Sequence, residues 1–129
     1  MAQFPMSDSR RGILERIPDY AVEITPATQT VTVKHGNLLI ADSSAALLIG
    51  ETKHQQVFYL PRADVRMDLL ISTEHSTYCP FKGHASYFSL DGDHDLENFG
   101  WSYESPYPEV IGLKDYVSFY TNKITQTES

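Results

Sequence analysis

One cysteine, Cys79, stands in 129 residues. A lone thiol can close no internal disulfide and build no cysteine-rich zinc module, so a reducing, cytoplasmic setting is the expectation. Long apolar runs are missing as well. Nothing approaches the ~18 consecutive apolar residues of a membrane span. The opening MAQFPMSDSRRG has no hydrophobic segment of the kind a secretory signal carries. Positive charge is scarce: 10 lysines and arginines against 17 aspartates and glutamates leave a net charge of −7. The basic clusters Arg10–Arg11 and Arg62/Arg66 are too small to follow a phosphate backbone, which argues against nucleic acid as a partner. Neither a GxGxxG nor a Walker motif supplies a phosphate cradle. The histidines (His35, His54, His75, His84 and His94) fall into no HxxxH or CxxC pattern, and DGDHDLE lacks the ligand ladder of an EF-hand. No metal and no cofactor are expected.

What the chain does have is aromatic residues and a two-residue period. One tryptophan, eight tyrosines and six phenylalanines give a composition biased towards β structure. TVTVKHGNLLIADS alternates, turns at His35-Gly36-Asn37 and resumes, the pattern of a hairpin. AALLIGET reads as a small turn or strand edge, and VFYL as a short strong strand closed by Pro61. HASYFSL alternates with Ala85, Tyr87 and Ser89 on one side and Ser86, Phe88 and Leu90 on the other. STEHSTYCPFKG reads as a loop, DGDHDLEN as an acidic turn, and DYVSFYTNKI as the last strand. The expectation is one mainly β domain over 19–129, built from about seven or eight short antiparallel strands with one or two helical turns. Residues 1–18, where RRGILERIP could make a helical turn, read as an N-terminal extension.

The densest charge lies in YLPRADVRMD, residues 59–68. On a strand, Arg62, Asp64, Arg66 and Asp68 point one way; on a helix opened by Pro61, Arg62 and Arg66 stand four apart. Either backbone places the two arginines on one side. Guanidinium forks match carboxylate or phosphate geometry, lysine supplies a point charge, and tyrosines offer an apolar face with a polar tip. Arg62, Asp64, Arg66 and Lys82, with Tyr59, Tyr87 and Trp101, are therefore the candidate ligand-binding set. The competing reading is a structural ion-pair network, Arg62–Asp64 and Arg66–Asp68, with Lys82 solvated. Cys79 in TYCPFKGH is a candidate nucleophile, with Lys82, His84 or His75 as its activating neighbour. The commoner fate of such a cysteine is core packing. Asp64 is a candidate acid/base.

The segments VFYLPRADVRMDLL, TYCPFKGHASYFSL, WSYESPYPEV and YVSFY resemble, in order and spacing, the bacterial domain of unknown function 427 family, which also carries an NTP-transferase-like label. The resemblance spans about residues 30–122. It implies a compact β-tent-like fold of the Mss4-like and cereblon-type kind, without the metal-binding cysteine pairs of those relatives. It carries no established activity. A true nucleotidyltransferase holds magnesium on paired carboxylates, and Asp64 and Asp68 on a strand would stand about 13 Å apart, too far for one ion.

The leading expectation is thus a small domain binding a small anionic or polar planar ligand through Arg62, Arg66, Lys82 and an aromatic wall. The alternatives are an enzyme, Cys79-dependent or transferase-like, and an interaction module that forms a homodimer through an open sheet edge.

Overall fold

A computed structural model describes residues 21–52 and 54–129; the N-terminal extension read over 1–18 lies outside the described residues. Among the described residues, ten strands form two antiparallel sheets. They are β1 (Val22–Pro26), β2 (Val31–His35), β3 (Leu38–Ser43), β4 (Leu47–Glu51), β5 (Val57–Pro61), β6 (Leu70–Cys79), β7 (Gly83–Leu90), β8 (Gly100–Ser102), β9 (Tyr116–Phe119) and β10 (Thr125–Glu128). Seven strands make the larger sheet in the order β1-β4-β5-β9-β8-β7-β6, and β10-β2-β3 make the smaller. The domain is mainly β, as expected, with more strands than the seven or eight read from the sequence.

The alternating segments become strands where predicted. The hairpin turns at Gly36-Asn37, with Gly36 at φ 60°, a left-handed conformation that glycine adopts without steric cost. Two segments differ. STEHSTYC is not a loop but most of β6, an edge strand that pairs with β7 through an irregularity between Ser72 and Ser76. Both its faces are largely exposed, so burial imposes no alternation on the sequence. DYVSFYTNKI is not the last strand, because β9 ends at Phe119 and a turn leads into β10.

The stretch after Pro61 is neither the single strand nor the single helix considered. It folds as two short 3-10 turns, Arg62–Asp64 and Met67–Leu69. Between them Val65 bridges Ala41 of β3, and the Arg66 amide donates to the Ile40 carbonyl at 2.7 Å.

Residues paired directly across neighbouring strands share a face, and this gives the larger sheet two distinct sides. One side carries Phe58, Leu60, Phe88, Val117 and Phe119, packed with Val31, Val33 and Ile40 of the smaller sheet into a dry core. Each such side chain withdrawn from water contributes about 1.5–3 kcal/mol before conformational entropy is subtracted. The other side carries Ile49, Tyr59, Ala85, Tyr87 and Tyr103, closed in part by Val110 and Leu113 from the 3-10 segment Pro108–Leu113. Tyr87 pairs with Trp101 in the β7–β8 ladder, so both rings stand on this second side.

Candidate functional site

The second side holds a cavity of about 290 Å³. Its walls are aromatic: Tyr59, Tyr87, Trp101, Tyr103 and Tyr120 line it, beside Lys82 and Glu51. Lys82 arrives from the three-residue connection between β6 and β7, where its amide donates to the Cys79 carbonyl at 3.2 Å. Gly83 closes that turn at φ 112°, strained for any other residue, and an added Cβ would lie 3.5 Å from the Ser105 carbonyl oxygen. Glu51 arrives from the end of β4. Lys82 Nζ donates to Glu51 Oε1 at 2.6 Å, and both side chains are nearly buried, at 13% and 11% exposure. The same ammonium lies 5.7 Å from the centre of the Tyr103 ring, a cation–π arrangement.

The aromatic groups are fixed by one another. The Trp101 indole N–H donates to the Tyr59 hydroxyl at 3.0 Å, with the two rings edge-on at 6.2 Å. Trp101 and Tyr120 have ring centres 4.6 Å apart. The Tyr87 hydroxyl bonds Thr77 Oγ1 at 2.9 Å and the Tyr120 hydroxyl at 3.3 Å, and the His75 ring leans on Tyr87 at 4.5 Å. Tyr103 makes no hydrogen bond through its hydroxyl among the described residues, so that polar tip is available to the cavity.

Electrostatics keep these groups in defined states. Burial raises the Tyr59 phenol above its ordinary value, although the Lys82 charge pulls the other way. Burial, reinforced by neighbouring Tyr59, also raises Tyr103, so both phenols are neutral at any physiological pH. Burial works against the Lys82 charge, but Tyr59 and the hydrogen-bonded Glu51 outweigh it and leave the ammonium harder to deprotonate than usual. The cavity thus offers an ammonium and a carboxylate that neutralise each other, plus neutral hydroxyls on aromatic walls.

The structure divides the residues singled out in the sequence. Tyr59, Lys82, Tyr87, Trp101 and Cys79 meet at this cavity. Arg62, Asp64 and Arg66 do not join them, so the expectation that the arginines and Lys82 gather in one place is corrected. Arg62 reaches under the opposite side of the sheet, where it donates from Nη2 to Ser102 Oγ at 3.2 Å and lies 5.5 Å from the Phe88 ring centre. Its Nε is buried without a hydrogen-bond partner among the described residues. Arg66 forms a two-point ion pair with Asp68 at 2.8 and 3.0 Å in solvent, which raises the arginine and lowers the aspartate. Asp64 accepts from Ser43 Oγ at 2.6 Å, not from Arg62. The structural ion-pair network is therefore half present: Arg66–Asp68 forms and Arg62–Asp64 does not. Lys82 is paired and nearly buried, not solvated. The two 3-10 turns separate the arginines, because neither a period of two nor one of 3.6 runs through residues 62–69.

Cys79 is a free, partly buried thiol on the cavity wall, and no base is hydrogen-bonded to its sulfur among the described residues. No cluster of three or more histidine, cysteine or acidic side chains is placed to hold a metal among the described residues. Glu51 is not among the residues that the sequence singles out, whereas Tyr103 and Tyr120, open in sequence between cage wall and core, line the cavity without having been in the candidate set. The signal for Tyr103 and Tyr120 was parity: Tyr103 lies two residues from Trp101, and Tyr120 two from Ser118, which pairs with Trp101. Glu51 left no local signal, because its partner is 31 residues away.

The fold and site define a small two-sheet β domain with an aromatic cavity built around a nearly buried ion pair. The chain belongs to the family described as a domain of unknown function, DUF427, whose model matches residues 23–129. No curated protein is significantly similar to it. No helix among the described residues is long and apolar enough to cross a membrane.

Proposed function

We propose that the domain binds a small planar, uncharged polar molecule in the cavity between Tyr59, Lys82 and Tyr103. The observation that carries this reading is the Lys82–Glu51 pair on an aromatic wall. Of the anionic and the polar planar ligand that the sequence suggested, the pair favours the second. An anion would have to compete with Glu51 for Lys82, and a cation with Lys82 for Glu51, each at the expense of a nearly buried 2.6 Å ion pair. A neutral group with a donor beside an acceptor, such as a carboxamide, can address both partners without breaking them. Aromatic walls grip its flat faces, and the Tyr103 hydroxyl supplies a further hydrogen bond.

Benzoate, benzamide and benzamidinium share one shape and carry charges of −1, 0 and +1. Trp101 is the sole tryptophan and lines the cavity, so its fluorescence reports each titration. Benzamide is expected to bind most tightly of the three, with a dissociation constant on the order of millimolar for so small a ligand. Tyr103→Phe should weaken it, whereas Arg62→Met on the far side should not. Equal affinity across the trio, or a benzamide affinity indifferent to Tyr103→Phe, sinks the reading.

A further inference from the structure

The aromatic cavity has a neighbour. A second cavity of about 240 Å³ is lined by Gln55, Gln56, Gln126 and Thr121 with Phe58 and Phe119, and it shares Gln55, Val57, Trp101 and Tyr120 with the first. Its origin lies in the strand pairing. The β5–β9 ladder contains only the pairs Leu60–Val117 and Pro61–Tyr116, so Val57 and Phe58 of β5, Phe119 at the end of β9 and Tyr120 just past it line a gap where the ladder ends. Gln126 comes from β10 of the smaller sheet, which places the second cavity where the two sheets meet. The two spaces adjoin along the Trp101–Tyr120 ring pair.

The chemistry of the two spaces differs. The first contains the Lys82–Glu51 charges; the second has no charged lining residue among the described residues. Its polar groups include three carboxamides and the Thr121 hydroxyl, none of which makes a hydrogen bond among the described residues, beside the Tyr120 hydroxyl and the Trp101 indole N–H, which are bonded to Tyr87 and Tyr59. Each carboxamide presents two donors and an acceptor. Amides set beside aromatic faces suit a frame that carries many hydroxyls on a C–H skeleton, since the hydroxyls meet the amides and the C–H face meets the rings. A phosphate would call for arginine or lysine, and neither stands among the described lining residues.

We infer that the ligand has two parts, a planar carboxamide-like head beside Lys82–Glu51 and an uncharged, polyhydroxylated, sugar-like tail that passes Trp101 and Tyr120 to the glutamines. This inference rests on the reading of the first cavity given above. The two are separable by experiment because Gln56 and Gln126 line only the second space.

The probes are 4-hydroxybenzamide and its 4-O-β-glucoside, which carry the same head with and without a sugar opposite the carboxamide. Binding is measured by isothermal titration calorimetry on the full chain. The glucoside is expected to bind roughly five- to tenfold more tightly than the parent phenol, the yield of about one net hydrogen bond. In Gln56→Ala/Gln126→Ala that advantage should vanish while the affinity for 4-hydroxybenzamide stays unchanged. Equal or weaker binding of the glucoside, or an advantage that survives the double substitution, overturns the two-part ligand and leaves the first cavity's reading intact. Failure of both probes to bind overturns both.

Discussion

Lys82 and Arg62 are cations that the sequence offers together, and the fold sends them to opposite sides of one sheet. On the Lys82 side a carboxylate meets the charge at 2.6 Å inside an aromatic cavity. On the Arg62 side the guanidinium rests against Phe88, shares a hydrogen bond with Ser102 and leaves Nε unsatisfied at the margin of the dry core. The difference shows that a charge brought out of water calls for a matched partner before it can organise a site. Lys82 has such a partner and stands among groups able to contact a ligand. Arg62 has no ion pair among the described residues, contacts Ser102 and Phe88, and serves to cover apolar surface. Arg66 is a third case, since its pairing with Asp68 takes place in solvent and constrains nothing deeper.

The largest effect should come from breaking the pair on the cavity side. Glu51→Ala leaves Lys82 nearly buried without its counter-charge and is expected to cost about 3 kcal/mol in urea unfolding. The combination Glu51→Leu with Lys82→Met should recover most of that loss, because an apolar replacement removes both desolvation costs. A cost under about 1 kcal/mol for Glu51→Ala would show that water already reaches the pair.

Alkaline pH probes the same side more gradually. Tyr59, Tyr103, Tyr120 and Lys82 all have raised pKa values in the fold, with burial leading for the phenols and bringing Tyr120 to about 12. A raised group holds its proton more firmly when folded, so its contribution is complete below the unfolded value, 10.0 for a phenol, and is lost as pH rises through the folded value. Melting temperature should therefore be insensitive to these four groups at neutral pH and fall increasingly above about pH 10. Tyr103→Phe, which removes one strongly raised phenol, should make the fall shallower. An unchanged slope in that variant would contradict the assignment.

Effects on the other side should be smaller. Arg62→Met gives up one hydrogen bond and the contact with Phe88 but also removes the orphaned Nε, so a net change of about 1 kcal/mol or less is expected. Binding of benzamide should be untouched; a loss of binding would mean that the two sides are coupled. Arg66→Ala should be smallest of all, with no resolvable shift in melting temperature and no dependence on salt, since the ion pair it removes is fully in solvent.

Much of the fold was legible in the residues. TVTVKHGNLLIADS, VFYL and HASYFSL have one buried face, and burial writes itself into a sequence as alternation. The parity of HASYFSL correctly separated Tyr87 from Phe88, which proved to be the division between cavity and core. β6 was not legible because an exposed edge strand is polar on both faces. The paired 3-10 turns were not legible because each is too short to show a period.

For the site, local sequence determined which side of its strand each ring occupies. Tyr87 and Trp101 could be assigned to a face before any partner strand was known, since side-chain direction follows from counting along the backbone. What only the tertiary structure decided was company: that Glu51 meets Lys82 from 31 residues away, that Trp101 bonds Tyr59, and that Arg62 ends up across the sheet from both. Strand order and register set those distances, and both arise from which apolar faces pack together. A charge adjacent in sequence need not be adjacent in space, and here the backbone turns between Pro61 and Leu70 made the separation.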